Sequence, residues 1–158
     1  MAGIAIQGAS FFLVWIDPGR AFRPGASPEG GLSLALSAAA CLLAASSASL
    51  ALWAAATLGK QWSFTARLLE GHELVVRGPY RFVRHPIYAA MLGMLWATGL
   101  LVATPLRLLA ATVIYGAGAA MRVRSEERLL KDEFGPQWDR YARDVPAVVP
   151  RWRGKRWI

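Results

Sequence analysis

Cysteine, histidine and charge are all scarce in this 158-residue chain, which holds one Cys, two His and only 18% Asp, Glu, Lys and Arg. A lone Cys41 can close no internal disulfide, which excludes a secreted cross-linked scaffold, and no paired Cys/His spacing suggests structural zinc. Inside a long apolar run that thiol serves as a small packing residue. Average globular chains carry about 25% charge, and here the deficit is concentrated, since nothing from Leu32 to Leu58 is charged. A soluble globule could not hide such a run, and an apolar content of 55% excludes disorder. The length allows one compact domain and excludes two full domains or a repeat array.

Four apolar stretches are present: Ala2 to Ile16, Leu32 to Leu58, Ile87 to Ala103 and Leu108 to Met121. About 20 apolar residues cross a bilayer as a helix. The pattern therefore predicts an all-α integral membrane protein, one membrane domain over 1–158, with about four transmembrane helices near 2–16, 32–58, 87–103 and 106–121. The second stretch exceeds the hydrocarbon core and must tilt or protrude. The first is short and has no Lys or Arg before its apolar centre. It makes a poor signal peptide and reads as a short spanning or half-inserted helix. Thr104 and Pro105 interrupt the third and fourth stretches, and Pro is accepted in a first helical turn, so these two form a tight antiparallel hairpin.

Orientation follows from Lys and Arg. The loop at 60–86 carries Lys60, Arg67, Arg77, Arg81 and Arg84, and the segment at 122–158 is denser still, whereas Asp17 to Gly31 holds only Arg20 and Arg23. Both basic regions, and both termini, are expected in the cytoplasm. The net charge of +8 thus reads as topology. Nucleic-acid binding is the competing reading, but the basic residues flank apolar spans and no recognised nucleic-acid-binding motif accompanies them. Small residues spaced four apart, Ala40, Ala44 and Ala48 in the second span and Ala89, Gly93 and Ala97 in the third, form faces on which helices can approach closely in lipid.

Two polar segments interrupt this greasy pattern. The first, His72 to Tyr88, contains the Gly78-Pro79 turn signal, and Pro86 fits the first turn of the third helix, with His85 at its cap and Tyr88 just inside. A helix N-terminus flanked by Arg81 and Arg84 suits a carboxylate or phosphate, although a basic interfacial collar accounts for each Arg singly. In the second segment Val123, Leu130 and Phe134 keep helical spacing, so the last span continues as an amphipathic helix until Gly135-Pro136 stops it. Arg122 and Glu126 then share a face and can pair, as can Glu127 with Lys131. An ion pair at a membrane edge more often marks a pathway or site than a surface does.

Together the two segments resemble the integral-membrane isoprenylcysteine carboxyl methyltransferases and their bacterial relatives over roughly Gly59 to Pro150. The resemblance rests on His72-x-Leu-Val, Gly78-Pro-Tyr, Arg84-His-Pro-x-Tyr, Glu126-Glu, Phe134-Gly, Tyr141, Val145-Pro and Pro150. Ala90 and Trp138 stand where that family often has Gly and Tyr. The resemblance implies an S-adenosylmethionine site at the cytoplasmic surface, formed by the loop before the third span and the C-terminal helix. His72, Leu74, Val75, Tyr80, His85, Pro86, Tyr88 and Glu126 stand at family cofactor positions, and Arg122 matches a residue assigned to the methyl-accepting substrate. It further implies a lipophilic acceptor, a carboxylate of the isoprenylcysteine type, and no metal. The nearest alternative is an NADPH-dependent membrane reductase of the sterol reductase type, which shares the Arg-His motif. However, the Glu126-Glu127 pair is an unfavourable neighbour for a 2′-phosphate. A non-enzymatic accessory protein of a membrane complex ranks third.

Overall fold

The computed structural model describes residues 2–16, 31–59 and 73–150. His72, Lys60 and Arg67 lie outside the described residues, as do Arg20, Arg23 and the C-terminal end of the expected cytoplasmic segment. The regular structure of the described residues is all helical: α1 (Ala2–Trp15), α2 (Gly31–Leu58), a 3-10 turn (Gly78–Arg81), α3 (Pro86–Val102), α4 (Pro105–Phe134) and α5 (Pro136–Asp144).

Local chemistry sets the boundaries. Pro86 and Pro105 open α3 and α4, where a missing N–H costs nothing, and the Thr104 side chain caps α4 by accepting from the Arg107 amide at 3.3 Å. Only Ala103 and Thr104 separate α3 from α4, giving the expected hairpin. The fourth span runs on past Met121 into its charged half, and Gly135, at φ +48°, ends it in a backbone conformation that favours glycine. The expected amphipathic extension is therefore one continuous helix with the span.

Helix α2 packs along α3 and α1 packs along α4. A core of Val14, Leu95, Val102, Ala111, Tyr115 and Ala119 joins α1, α3 and α4. The close crossings depend on glycine. A Cβ on Gly93 would overlap Ser47 Oγ of α2, and one on Gly118 would come within 3.0 Å of Gly3 O and Gln7 Cγ of α1. The small face of α2 differs from the expected one: its buried positions are Ala40, Ser47 and Ala54, seven apart, while Ala44 and Ala48 are half-buried. A spacing of seven keeps a seam in register along a crossing helix better than a spacing of four, which drifts around the cylinder.

The outer faces are greasy. Leu34 and Leu106 are 73% and 77% exposed, with Leu42, Leu52, Phe12, Leu109 and Val113 similarly bare. Soluble monomers rarely show apolar surface on that scale. By length and composition α2 and α4 are the two described helices able to cross a membrane. Helices α1 and α3, with 14 and 17 residues, reach about 21 Å and 26 Å, short of a hydrocarbon core of about 30 Å. The expected span at 106–121 is thus contained in a longer helix, and those at 2–16 and 87–103 are short apolar helices.

Candidate active site

Where the N-terminus of α3 meets the charged half of α4, the two polar segments converge. The Tyr88 hydroxyl donates to Glu126 Oε1. His85 faces both acidic residues, with Nδ1 at 3.5 Å from Glu126 Oε2 and Nε2 at 3.2 Å from Glu127 Oε1. Arg84 closes the cluster: its Nε and Nη2 donate to Glu127 Oε1 at 3.0 Å and 2.7 Å, and its Nη1 donates to the carbonyls of Ala142 and Val145, both at 2.6 Å. Arg122 lies over the Tyr88 ring, 5.2 Å from its centroid, with Nη2 at 3.6 Å from Glu126 Oε1. Glu127 therefore pairs across the fold and not with Lys131, whose ammonium is 3.2 Å from Asp139. The helical i,i+4 pairing is weak, and Glu127 is instead claimed by donors on a second element.

Electrostatics follows from these contacts. Burial alone pushes the His85 imidazole down, but hydrogen bonds and charge from Glu126 and Glu127 outweigh it and hold the ring above its ordinary value. Burial would raise both carboxyls. Bonds from His85 and Tyr88 to Glu126, and from His85 and Arg84 to Glu127, hold them below the usual range instead. With a carboxylate facing each ring nitrogen, the imidazolium, which donates from both, is the form the site selects. The acidic side chains keep 24% and 26% exposure, so the cluster remains open to a ligand.

A second layer fixes the first. Trp138, Tyr141 and Val145 pack with Leu74, Val76, Leu130 and Phe134, pinning α5 and the residues before the 3-10 turn onto α4. The Arg84 guanidinium stacks 5.6 Å from the Trp138 ring centroid, and the Tyr141 hydroxyl donates to Tyr80 O at 2.6 Å. The Arg84 and His85 amides donate to the carbonyls of Pro146 and Ala147 at 2.9 Å and 2.8 Å. Of the amides around the start of α3, those of Arg84 and His85 are thus bonded to the C-terminal segment, and Pro86 has none to offer.

Of the sequence candidates, His85, Tyr88, Glu126 and Arg122 form one contact network. Pro86, the first residue of α3, is fully buried and directly follows His85. Leu74 packs against the aromatic cluster of α5, and Val75 is half-buried beside it in sequence. The buried Tyr80 hydroxyl reaches Ala54 O of α2 at 3.5 Å and lies near enough to Glu126 to feel its charge. Sequence reasoning missed Glu127 and Arg84 as members of the network and missed α5 as an element. An apolar cavity of about 330 Å³, lined by Leu43, Ala89, Leu92, Gly93, Trp96 and Val148 to Pro150, opens beside the same end of α3.

Deeper along α4, the Tyr115 hydroxyl donates to Tyr88 O at 2.8 Å, tying the site to the core. Next to it lies Gln7 of α1, 2% exposed, whose amide approaches Tyr115 but makes no hydrogen bond of good geometry with any described residue.

The sequence model of the isoprenylcysteine carboxyl methyltransferase (ICMT) family matches residues 38–132, well over half of the chain. Protein-S-isoprenylcysteine O-methyltransferase B of Arabidopsis thaliana is 37% identical over 83 residues, which cover 51% of this chain and 41% of that protein. The nickel-cobalt-cadmium resistance protein NccN of Alcaligenes xylosoxydans is 36% identical over 103 residues, 61% of this chain and 45% of its own length. Methanethiol S-methyltransferase 1 of Bradyrhizobium diazoefficiens is 38% identical over 74 residues, 47% of this chain and 25% of the relative. The matched segments thus span about half or less of these relatives.

Proposed function

The chain belongs to the isoprenylcysteine carboxyl methyltransferase family, and from that premise we propose that it is an S-adenosylmethionine-dependent membrane methyltransferase acting on a lipophilic carboxylate. The observation that carries the reading is the direct Tyr88 to Glu126 hydrogen bond, set in a network with His85, Arg84, Glu127 and Arg122. It joins residues from both resemblance motifs in a half-buried, ligand-accessible cluster.

The residues present fit such a donor. Glu126 is a partly exposed carboxylate suited to a cationic or hydroxyl-bearing group, and the Tyr88 ring already holds the Arg122 cation against its face, so it can hold a sulfonium in the same way. When bound, S-adenosylmethionine supplies a methyl group on positively charged sulfur, which departs as a neutral thioether. Glu126, oriented by Tyr88 and His85, would hold the donor. Arg122 would hold the acceptor's carboxylate by charge-assisted hydrogen bonds and aim it. Methyl transfer needs mainly alignment, and the apolar surroundings of the bundle spare the charge-annihilating step the opposition of water.

The same reading puts four crossings in the bilayer, α1 and α3 inserting with α2 and α4, and the site and both termini at the cytoplasmic face. The exposed apolar surface of all four helices and the basic residues Arg77, Arg81, Arg84 and those beyond Met121 support it. The acceptor enters sideways from the lipid.

The test is thermal stabilisation of the purified protein by S-adenosylhomocysteine, followed by labelled-methyl transfer to a panel of lipophilic acids and thiols. Stabilisation by NADPH in its place would support the reductase reading, and stabilisation by neither ligand would support an accessory protein. Arg122→Ala is expected to impair turnover more than donor binding; equal loss of both rejects the division of labour.

A further inference from the structure

Gln7 presents an unsolved account. Both atoms of its amide are buried without a hydrogen-bond partner among the described residues, which costs about 1–3 kcal/mol, and native structures rarely tolerate such groups without a reason. The amide approaches the Tyr115 hydroxyl without reaching good hydrogen-bond geometry, and the Ser10 hydroxyl donates at 2.6 Å to the Gln7 main-chain carbonyl, not to its side chain. A polar group inside an apolar helical bundle is expensive and marks substrate paths more often than chance.

Its location is specific. Helices α1 and α4 run antiparallel, so Gly3 meets Gly118 and Arg122 while Gln7 meets Gly118 and Tyr115. A Cβ on Gly3 would lie 2.6 Å from Arg122 Cγ, and a Cβ on Gly118 would lie 3.0 Å from Gln7 Cγ. The amide therefore stands one helical turn deeper in the bundle than the Arg122 side chain. It also sits beside the Tyr115 hydroxyl that is bonded to Tyr88 O. The family match begins at residue 38 and does not reach this helix.

Resting on the methyltransferase reading, we propose that α1 is one wall of the acceptor site and that Gln7 recognises the acceptor's polar head, selecting a carboxylate over a thiol on the same apolar chain. The Gln7 Nε2 hydrogens go to a carboxylate oxygen whose charge Arg122 balances. Its Oε1 accepts from a water or N–H that accompanies the head. A thiol is only a weak donor and a weak acceptor, and would leave the amide as poorly satisfied as it is now. A site built to hydrogen-bond a substrate group discriminates strongly against the analogue lacking it.

The experiment uses the full chain in lipid nanodiscs, with hexadecanoate and hexadecanethiol as acceptors and two variants, Gln7→Leu and Gln7→Met, the second insuring against failure of the first to fold. The wild type is expected to favour the carboxylate by about tenfold or more in kcat/KM. Either variant should keep or raise the melting temperature, because replacing an unsatisfied amide by an apolar group of similar size removes a desolvation cost. It should raise KM for the carboxylate by about 10–100-fold, leave thiol turnover unchanged, and leave stabilisation by S-adenosylhomocysteine intact. A melting temperature lowered in both variants assigns Gln7 a structural partner such as a buried water and overturns the proposal, as does an unchanged acceptor preference. A wild type that binds S-adenosylhomocysteine yet prefers the thiol overturns the proposal alone. A wild type that neither binds it nor methylates either acceptor removes the methyltransferase reading, and this inference with it.

Discussion

The charged end of the molecule and its apolar bundle are held together by opposite means. At the charged end Arg84, His85, Glu126, Glu127 and the carbonyls of Ala142 and Val145 satisfy one another through directional bonds. In the bundle, contact rests on small residues at Gly93, Gly118, Ala40 and Ala54, and the outward faces stand exposed among the described residues. Directional bonds fix where a side chain points, whereas apolar contact fixes only how closely backbones approach. Chemistry that depends on alignment therefore belongs at the charged end, and the bundle supplies a low-dielectric support for it.

The sharpest way to break that contrast is to remove the guanidinium on which the charged end converges. Arg84→Ala strips Glu127 of two bonds and orphans two carbonyls, and breaking such a partly buried pair is expected to cost about 3 kcal/mol or more. Thermal unfolding in detergent measures it. Arg84→Lys restores charge without the planar fork and should recover only part of the loss. Equal stability of wild type and Arg84→Ala would mean that the charged end is not held by its bonds.

Glu126→Gln tests the function of that end separately from its stability. The amide can still accept from Tyr88, so the fold should survive. Losing the charge should weaken S-adenosylhomocysteine binding by about 10–100-fold, the equivalent of about 1.5–3 kcal/mol for a hydrogen bond to a charged group. Calorimetric titration reads this directly, and unaltered affinity would move the donor away from Glu126.

For the bundle, the corresponding change is steric. Gly93→Ala drives a methyl into Ser47 Oγ at the α2–α3 crossing and should cost about 1–3 kcal/mol. Ser47→Gly in the same chain should return most of it, a coupling that a double-mutant cycle measures. A null interaction energy would show that the helices part there without penalty.

The contrast also explains what could be read from the sequence. The extent of α4 was legible because Val123, Leu130 and Phe134 keep helical spacing beyond the apolar run and Gly135-Pro136 stops it. Such signals are local. The partner of Glu127 was not legible: Lys131 is the nearest cation in sequence, but Arg84 and His85 reach it from 43 and 42 positions away because two helix ends meet. For the same reason the bonds from the Arg84 and His85 amides to the carbonyls of Pro146 and Ala147 were not legible. Helix α5 escaped because nine residues are too few for a convincing period, although Trp138 and Tyr141, three apart after Pro136, are its trace. Tyr88, Glu126 and Arg122 were nominated by resemblance and by helix phase, and their meeting is a tertiary fact that neither supplies.

The gentlest perturbation is proton concentration, and it separates the two regions without any substitution. Because Glu126 and Glu127 hold His85 above its ordinary 6.5, the folded state binds the imidazole proton more tightly than the unfolded chain does. Its contribution is complete below about pH 6.5 and is lost as pH rises through the folded value. The two carboxyls, held below their ordinary 4.5, contribute fully above that value and lose their contribution as pH falls through their folded values. Stability should therefore be greatest between the two limbs. Melting temperatures across the range should fall on both sides, with the alkaline limb absent in His85→Gln and the acidic limb reduced in Glu127→Gln. The bundle has no part in either limb, since its described crossings hold no carboxyl or imidazole. An alkaline limb that persists in His85→Gln would transfer the dependence to another group and remove the imidazolium from the centre of the network.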